Sequence, residues 1–395
     1  MNMLDLLQRS TSLFDIDLAK HEDEIIRTVN DSRFLVLGGA GTIGQAVTKE
    51  IFKRDPLKIH VVDINENNLV ELVRDLRSSI GYIEGDFQTF TLDIGSEEYD
   101  AFFNADGGYD YVLNLSALKH VRNEKDPFTL MRMVRTNILN TEKTLQQCIG
   151  KEIKKYFCVS TDKAANPANM MGASKKIMEM FAARASKKID VSMARFANVA
   201  FSDGSLLHSF KQRIDKSQPI VAPNDIKRYF VTPDESGLIC LFSCLLGKNG
   251  DIFFPKLNDN IHLSTFSSIA ERYLLQQGFR VRECSSEEEA RSLISQLPDK
   301  GYWPCLFTQS DTTGEKAIEE FYTDEEELDI ILFNGLGVIK NSLSCDNERL
   351  MDFTIQIDSL LRSGYWTKEQ ILSLFFTLLP EFAHHETGKY LESKM

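Results

Sequence analysis

The sequence predicts an α/β protein, a doubly wound parallel sheet joined to a smaller mixed lobe, with helical extensions at both ends. Three observations carry that prediction. Short apolar runs alternate with helical stretches from Arg33 to about Ala200. A glycine cluster, Gly38-Gly-Ala-Gly41-Thr-Ile-Gly44, stands between the first run and its helix, and beyond Ala200 the pattern breaks into shorter strands and proline-marked loops.

The elements follow in order. Residues 1–31 place apolar side chains (Leu4, Leu7, Leu13, Ile16, Leu18, Ile25, Ile26) at helical spacing, which predicts helices packed on the main domain or on a second subunit. Phe34–Leu37, the helical stretch Ala46–Lys53 and the run Lys58–Val62 form strand, helix and strand, the βαβ unit. Phe90–Leu92, Tyr111–Leu113 and Lys155–Val159 continue the parallel sheet. Pro219, Pro223, Pro233 and Pro255 mark the loops of the smaller lobe. Helices return at Leu350–Leu361 and after Thr367, where Thr367 and Gln370 fit a capping box. The resulting division is 1–31, a helical extension; 32–200, the dinucleotide-binding domain; 201–344, mainly a second lobe; and 345–395, a helical segment.

Composition narrows the partners. With 43% hydrophobic and 26% charged residues in a chain of 395, the protein reads as globular with room for two lobes. A net charge of -13 argues against nucleic acid, because nothing would neutralise a phosphate backbone. No apolar stretch spans a bilayer and the first residues lack a basic leader, so the expected location is cytoplasmic, with no membrane partner. The seven cysteines show no metal-ligand spacing and no metal is expected; Cys240 and Cys244, in the apolar run Leu238–Leu246, read as buried thiols.

Glycines between a strand and a helix let the turn be tight and let the backbone approach a pyrophosphate at the helix N-terminus, so Gly38, Gly41, Thr42, Ile43 and Gly44 are the expected cradle. Asp63 ends the second strand nineteen residues after Gly44, where a carboxylate accepts from a ribose diol and repels a 2′-phosphate; this predicts NAD over NADP. The alternative is that Asp63 only caps the helix begun at Asn65. Asp93, with Ile94, is placed either to meet the adenine or to make a turn. Leu115, Ser116 and Ala117, at the end of the fourth strand, are expected beneath the ribose and nicotinamide.

The chemistry is expected where the strand Phe157–Ser160 gives way to Thr161-Asp162-Lys163. Carboxyl ends of central strands face the ligand crevice, and an adjacent acid and base can serve opposite sides of one elimination. A salt-bridged surface turn is the bland alternative.

The set Gly38–Gly44, Ala117-Leu-Lys-His120-Val, Ser160-Thr-Asp-Lys-Ala-Ala-Asn-Pro, Gly172-Ala-Ser-Lys175, Arg195-Phe-Ala-Asn-Val199, Arg228-Tyr-Phe and Thr313-Gly-Glu-Lys316 resembles the UDP-N-acetylglucosamine 4,6-dehydratases of the extended short-chain dehydrogenase/reductase family, with a Rossmann fold. The resemblance runs from about Arg33 to Glu327 and looks closest to the short, membrane-free forms of legionaminic acid biosynthesis. It implies NAD, a UDP-sugar substrate bound by the second lobe, and a homo-oligomer.

One departure matters. The position four residues before Lys175, ordinarily Tyr, is Met171, and a thioether takes no proton at neutral pH. Within the resembled family, Met here looks like the mark of dehydratases that retain configuration at C5. The implied roles are Thr161 on the C4 hydroxyl, Lys163 as C5 base, Asp162 as acid for the departing C6 hydroxyl, and Lys175 on the nicotinamide ribose. Charge and position nominate Arg195 and Arg228 for the diphosphate, with a structural ion pair equally open for Arg195. Asn198, Glu315, Lys119 and His120 complete the substrate side, His120 having a structural role as its alternative. The competing functions are a C5-inverting dehydratase, a nucleotide-sugar 4-epimerase and a non-catalytic NAD sensor.

Overall fold

The computed structural model describes residues 2–106, 108–257, 263–310, 316, 320–340 and 346–389. Its centre is a nine-stranded sheet. The parallel strands β1 (Arg33–Leu37), β2 (Lys58–Asp63), β3 (Asp86–Thr91), β4 (Tyr111–Asn114), β5 (Lys155–Thr161) and β6 (Val191–Phe196) lie in the spatial order β6-β5-β4-β1-β2-β3. The chain order reverses between β1 and β4, and that switch point opens the ligand crevice of a doubly wound sheet. β1, β2, β4, β5 and β6 are buried along nearly their whole length and mostly apolar, because parallel strands are covered on both faces. β3 is the edge and only half covered, so its apolar signal is two phenylalanines and it starts four residues before the predicted run.

The helices are α1 (Met3–Leu6), α2 (Asp15–Asn30), α3 (Thr42–Phe52), α4 (Glu66–Ser79), α5 (Glu97–Asp106), α6 (Pro127–Val134), α7 (Asn140–Cys148) and α8 (Met170–Ala185). A π-helical turn, Arg135–Leu139, joins α6 to α7.

Beyond residue 200 the chain returns to the sheet twice. Helix Pro233–Leu246 packs on α3, and strand Ile252–Pro255 pairs parallel with β6. Strands Leu336–Ile339 and Leu328–Asp329 then add antiparallel to that edge. Their side chains, Phe253, Phe254, Leu336 and Val338 among them, belong to the main core, so burial of apolar surface draws these segments back across the lobe boundary. What remains outside is a smaller lobe with a three-stranded parallel sheet (Arg280–Glu283, Tyr302–Thr308, Ile220–Pro223) and the helices Leu206–Asp215 and Phe266–Gln276.

The N-terminal extension packs on its own chain. Leu6 and Leu7 enter the small-lobe core, while Leu13, Phe14, Ile25 and Val29 enter the main one. Arg9 forks onto buried Glu235 at 2.7 and 2.8 Å, and Asp17 accepts the amides of Asn334 and Gly335. The C-terminal helices Asn347–Ser363 and Lys368–Leu378 cover α6 and α8 through Phe353, Ile357, Phe375 and Leu378. Thr367 and Gln370 form the expected capping box. Phe375 and Leu378 therefore cover a core, whereas Phe376 is exposed.

Candidate active site

The glycine turn is fixed by contacts that exclude a Cβ. Gly38 has φ +71°, and a Cβ there would lie 2.7 Å from the Ser116 amide nitrogen. A Cβ on Gly44 would lie 2.3 Å from the Gly38 carbonyl, which seats α3 against the turn. Gly41 differs: it stands at the N-cap of α3, and the nearest atom to its Cβ position is 3.7 Å away. No side chain caps α3, so its first-turn amides point into the opening beside Gly41 with the positive end of the helix dipole behind them. Such a cradle fits a pyrophosphate.

Asp63 borders the same opening. One carboxylate oxygen accepts the Ala40 amide and the other the Asn65 amide, both at 2.9 Å. The cap of α4 is Asn65, whose side chain accepts from Asn68, so Asp63 does not cap that helix; it braces the glycine turn and remains half-exposed. Asp93 is exposed and makes a turn to Gly95, followed by buried Ile94. The Leu115 amide donates to the Leu37 carbonyl, and the Ser116 amide to Asn114 Oδ1, which lays Leu115 and Ser116 along the Gly38 side of the crevice.

At the end of β5 the structure assembles the predicted pair. Asp162 is only 3% exposed, although it makes the salt bridge to Lys163 that the alternative reading expected. Its Oδ1 accepts three hydrogen bonds: Thr161 Oγ1 at 2.7 Å, the Lys163 amide at 2.9 Å and Lys163 Nζ at 3.0 Å. Gly172 locks α8 onto this turn, because a Cβ there would sit 2.5 Å from the Lys163 carbonyl. Asn169 caps α8, Met171 is buried in its first turn, and Lys175 follows one turn on. The Lys175 ammonium donates to the Val159 carbonyl at 2.9 Å, and burial draws its pKa down to about 8.

The substrate-side residues divide. Lys119 Nζ donates to Ser202 Oγ at 3.3 Å, and a Cβ on Gly204 would lie 3.0 Å from His120 Nε2. The Asp203 amide donates to Thr42 Oγ1, so residues 202–204 run from the start of α3 to Lys119 and His120. Desolvation lowers the pKa of both Lys119 and His120. Asn198, half-exposed, pairs with Phe230 in a two-stranded ladder. Arg228 is buried and donates to the carbonyls of Lys227 and Lys316. Arg195 is the correction: its guanidinium has no exposed surface and is held by Glu179, Glu326 and the Phe321 carbonyl, so it makes the structural ion pair and presents no face to a diphosphate. Glu315 lies outside the described residues. Ser202, Asp203 and Glu179 were not legible as site residues; Glu179 carried one signal, a carboxylate inside the apolar run Ile177-Met-Glu-Met-Phe181. Among the described residues no group of His, Cys, Asp and Glu could hold a metal ion, and no helix is long and apolar enough to cross a membrane.

Fold and site thus define a doubly wound α/β protein whose crevice has the dinucleotide-binding shape. Residues 34–295 match the family described as polysaccharide biosynthesis protein, and the chain belongs to that family. It is 30% identical over 325 residues to an uncharacterized membrane protein of Methanocaldococcus jannaschii, covering 80% of this chain and 90% of that one. It is 30% identical over 254 residues to the capsular polysaccharide biosynthesis protein CapD of Staphylococcus aureus, 63% of this chain and 41% of CapD. It is 29% identical over 237 residues to the UDP-glucose 4-epimerase of Rickettsia bellii, 57% of this chain and 66% of the epimerase. The chain therefore spans less than half of CapD.

Among solved structures, Pen from Bacillus thuringiensis superposes with a TM-score of 0.64 at 21% identity, over 86% of this chain and 99% of Pen. WbmF of Bordetella bronchiseptica, solved with NAD+ and UDP, superposes with a TM-score of 0.51 at 17% identity, over 68% and 87%. These two likenesses show the fold.

Proposed function

We propose that the chain is an NAD(H)-dependent enzyme that modifies the hexose of a nucleotide sugar through a ketone at C4. The observation that carries this reading is the pairing of the open glycine cradle at Gly41 with buried Asp162, hydrogen-bonded by Thr161 and Lys163, at the carboxyl end of β5. The named activity of the Rickettsia relative and the NAD+ and UDP bound to WbmF support it. NAD, when bound, supplies the hydride acceptor. The chain's part is to hold it at Gly38, Gly41 and Gly44, with Asp63 toward the ribose diol, residues 115–117 along the crevice and Lys175 beneath the nicotinamide ribose.

The protons follow the hydrogen bonds. The Thr161 hydroxyl, 2.7 Å from Asp162, can receive the C4 hydroxyl proton while passing its own to the carboxylate. Two reactions diverge from the ketone. The relatives' named reaction favours 4-epimerization, in which that proton returns to C4 oxygen from the same Thr161–Asp162 pair. In 4,6-dehydration, Lys163 as the neutral amine takes the C5 proton, Asp162 gives its acquired proton to the C6 hydroxyl, water leaves, and the hydride taken from C4 returns to C6 as Lys163 gives its proton back to C5. The finer form of that second reading, UDP-N-acetylglucosamine with C5 retained, draws on the Asp162–Lys163 contact and on Met171, which removes the usual tyrosine at C4.

Incubation with UDP-glucose and with UDP-N-acetylglucosamine, followed by mass spectrometry and NMR, tests both. Equal mass with altered C4 supports epimerization; loss of one water, with deuterium from heavy water at C5, supports dehydration. Absence of NADH binding sinks the proposal, and binding without turnover on either sugar leaves a sensor. Lys163→Ala is expected to lower dehydration by at least about a hundredfold while NADH binding persists; unchanged water loss removes Lys163 from the mechanism.

A further inference from the structure

The helix that carries Lys175 holds a second ionisable side chain one turn on. Glu179 has no exposed surface, and neither has the Arg195 guanidinium that forks onto it, Nε to Oε1 at 2.9 Å and Nη2 to Oε2 at 2.8 Å. Oε1 also accepts the Ser160 hydroxyl at 2.6 Å, and Ser160 immediately precedes Thr161. Arg195 is shared, its Nη1 and Nη2 reaching the two oxygens of Glu326 at 2.8 and 2.7 Å. Two carboxylates against one guanidinium leave a negative charge buried under the crevice. An uncompensated buried charge is costly. The Lys175 ammonium, at the i,i+4 position of the same helix, is placed to balance it; Lys176, 4.0 Å from Glu179, is 21% exposed and screened by water.

We infer that Glu179 is a positioning residue of the site: its carboxylate keeps Lys175 protonated beneath the crevice while holding the Ser160 end of β5 and Arg195 in register. The other groups around α8 are engaged elsewhere. From β5, the Cys158 thiol is pushed up to about 12 by burial and is neutral. On the turn packed against the helix, Asp162 and Lys163 pair with each other. Glu124 accepts the Met170 amide at the start of α8 and faces His384, and Glu142 of α7 pairs with Arg184 near its far end. From β6, Arg195 reaches Lys175 only through Glu179. Burial is the largest influence on Lys175 and draws its pKa down to about 8; Cys158 and then Glu179 oppose that fall, and of the two only Glu179, held below the usual carboxylate range, is charged around that pH.

The consequence for NAD binding rests on the cofactor reading above, whereas the charge balance does not. The test is NMR of protein carrying 13Cε-lysine, the Lys175 resonance being identified by its loss in Lys175→Gln. The wild-type midpoint is expected near pH 8, and Glu179→Gln, which keeps the shape and an acceptor for Ser160, is expected to lower it by about one unit or more. Ser160→Ala removes a hydrogen bond without charge and should leave the midpoint in place. Should Glu179→Gln fail to fold, Glu326→Gln lowers the midpoint in the same direction by less. A midpoint that stays put in the folded carboxamide variant overturns the inference. NADH fluorescence titrations on the same proteins should show alkaline loss of affinity moving with the Lys175 midpoint. A wild type that binds no NADH at any pH removes the cofactor reading alone, and normal binding with an unmoved midpoint removes the inference alone.

Discussion

Gly38, Gly41 and Gly44 look alike as letters and differ as residues. At Gly44 a methyl group would lie 2.3 Å from the Gly38 carbonyl, a backbone atom that moves only by unseating α3. At Gly38 the φ of +71° adds its own cost, about 1–2 kcal/mol for any L side chain. Gly41 has φ -74°, and its Cβ position meets nothing closer than 3.7 Å, so the space it keeps open is kept for something outside the protein. Gly41→Ala is therefore expected to unfold within roughly 0.5 kcal/mol of wild type while losing about tenfold or more in NADH affinity. Gly44→Ala should lose both, with overpacking worth about 1–3 kcal/mol. Urea unfolding beside NADH fluorescence separates them, and a Gly41→Ala protein that binds NADH normally would contradict the cradle. The spacing of the glycines was legible in the sequence; which of them stands open was not, because Gly38 is closed off by the Ser116 backbone, which follows β4 far along the chain.

At the scale of elements, the inner parallel strands could be read because burial on both faces leaves a mostly apolar run. The antiparallel edge at 328–339 could not, since its partner is eighty residues away in Ile252–Pro255 and nothing local encodes the pairing. Arg195 shows the same limit for the site: a guanidinium suits a phosphate and a buried carboxylate equally, and only the convergence of α8 with the 321–326 segment decided for the latter. The N-terminal extension is tied by a comparable long-range contact. Arg9 and Glu235 are 3% and 1% exposed, and Glu235 also closes the capping box of helix Pro233–Leu246 with Thr232 and accepts the Leu13 amide. Removing one partner leaves a buried charge, so Arg9→Ala is expected to cost about 3–5 kcal/mol in urea unfolding. Arg9→Ala combined with Glu235→Gln should recover part of that loss, and a single variant as stable as wild type would mean that the extension is held by apolar packing alone.

Across the whole molecule, charge is sorted to opposite ends of the sheet. The carboxyl ends of the strands carry Asp63, Asp162, Lys163 and Lys175. The amino ends carry ion pairs, Arg33 to Asp110 across β1 and β4 and Lys58 to Asp106 beside β2, and there His60 is hydrogen-bonded to Asp86 of β3. Burial pushes Asp106 and Asp110 up, but Lys58 and Tyr109 on the first, and Arg33 with Lys154 on the second, outweigh it, so both lie below the usual carboxylate range. Asp86 is lowered by Gln88 first and then by His60, against burial. A carboxylate whose folded pKa is depressed contributes stability that is present above its unfolded pKa, about 4 for aspartate, and lost as pH falls through the lower folded value. Unfolding free energy should therefore hold down to about pH 4 and then decline, with the amino-terminal edge of the sheet weakening first. Asp110→Asn, which removes the carboxylate shared by Arg33 and Lys154, should be less stable than wild type at pH 7, and the gap should close as pH falls below the folded pKa. A gap equally wide at acid and neutral pH would assign the loss to altered hydrogen bonding in place of charge, and the division of labour between the two ends of the sheet would then rest on geometry alone.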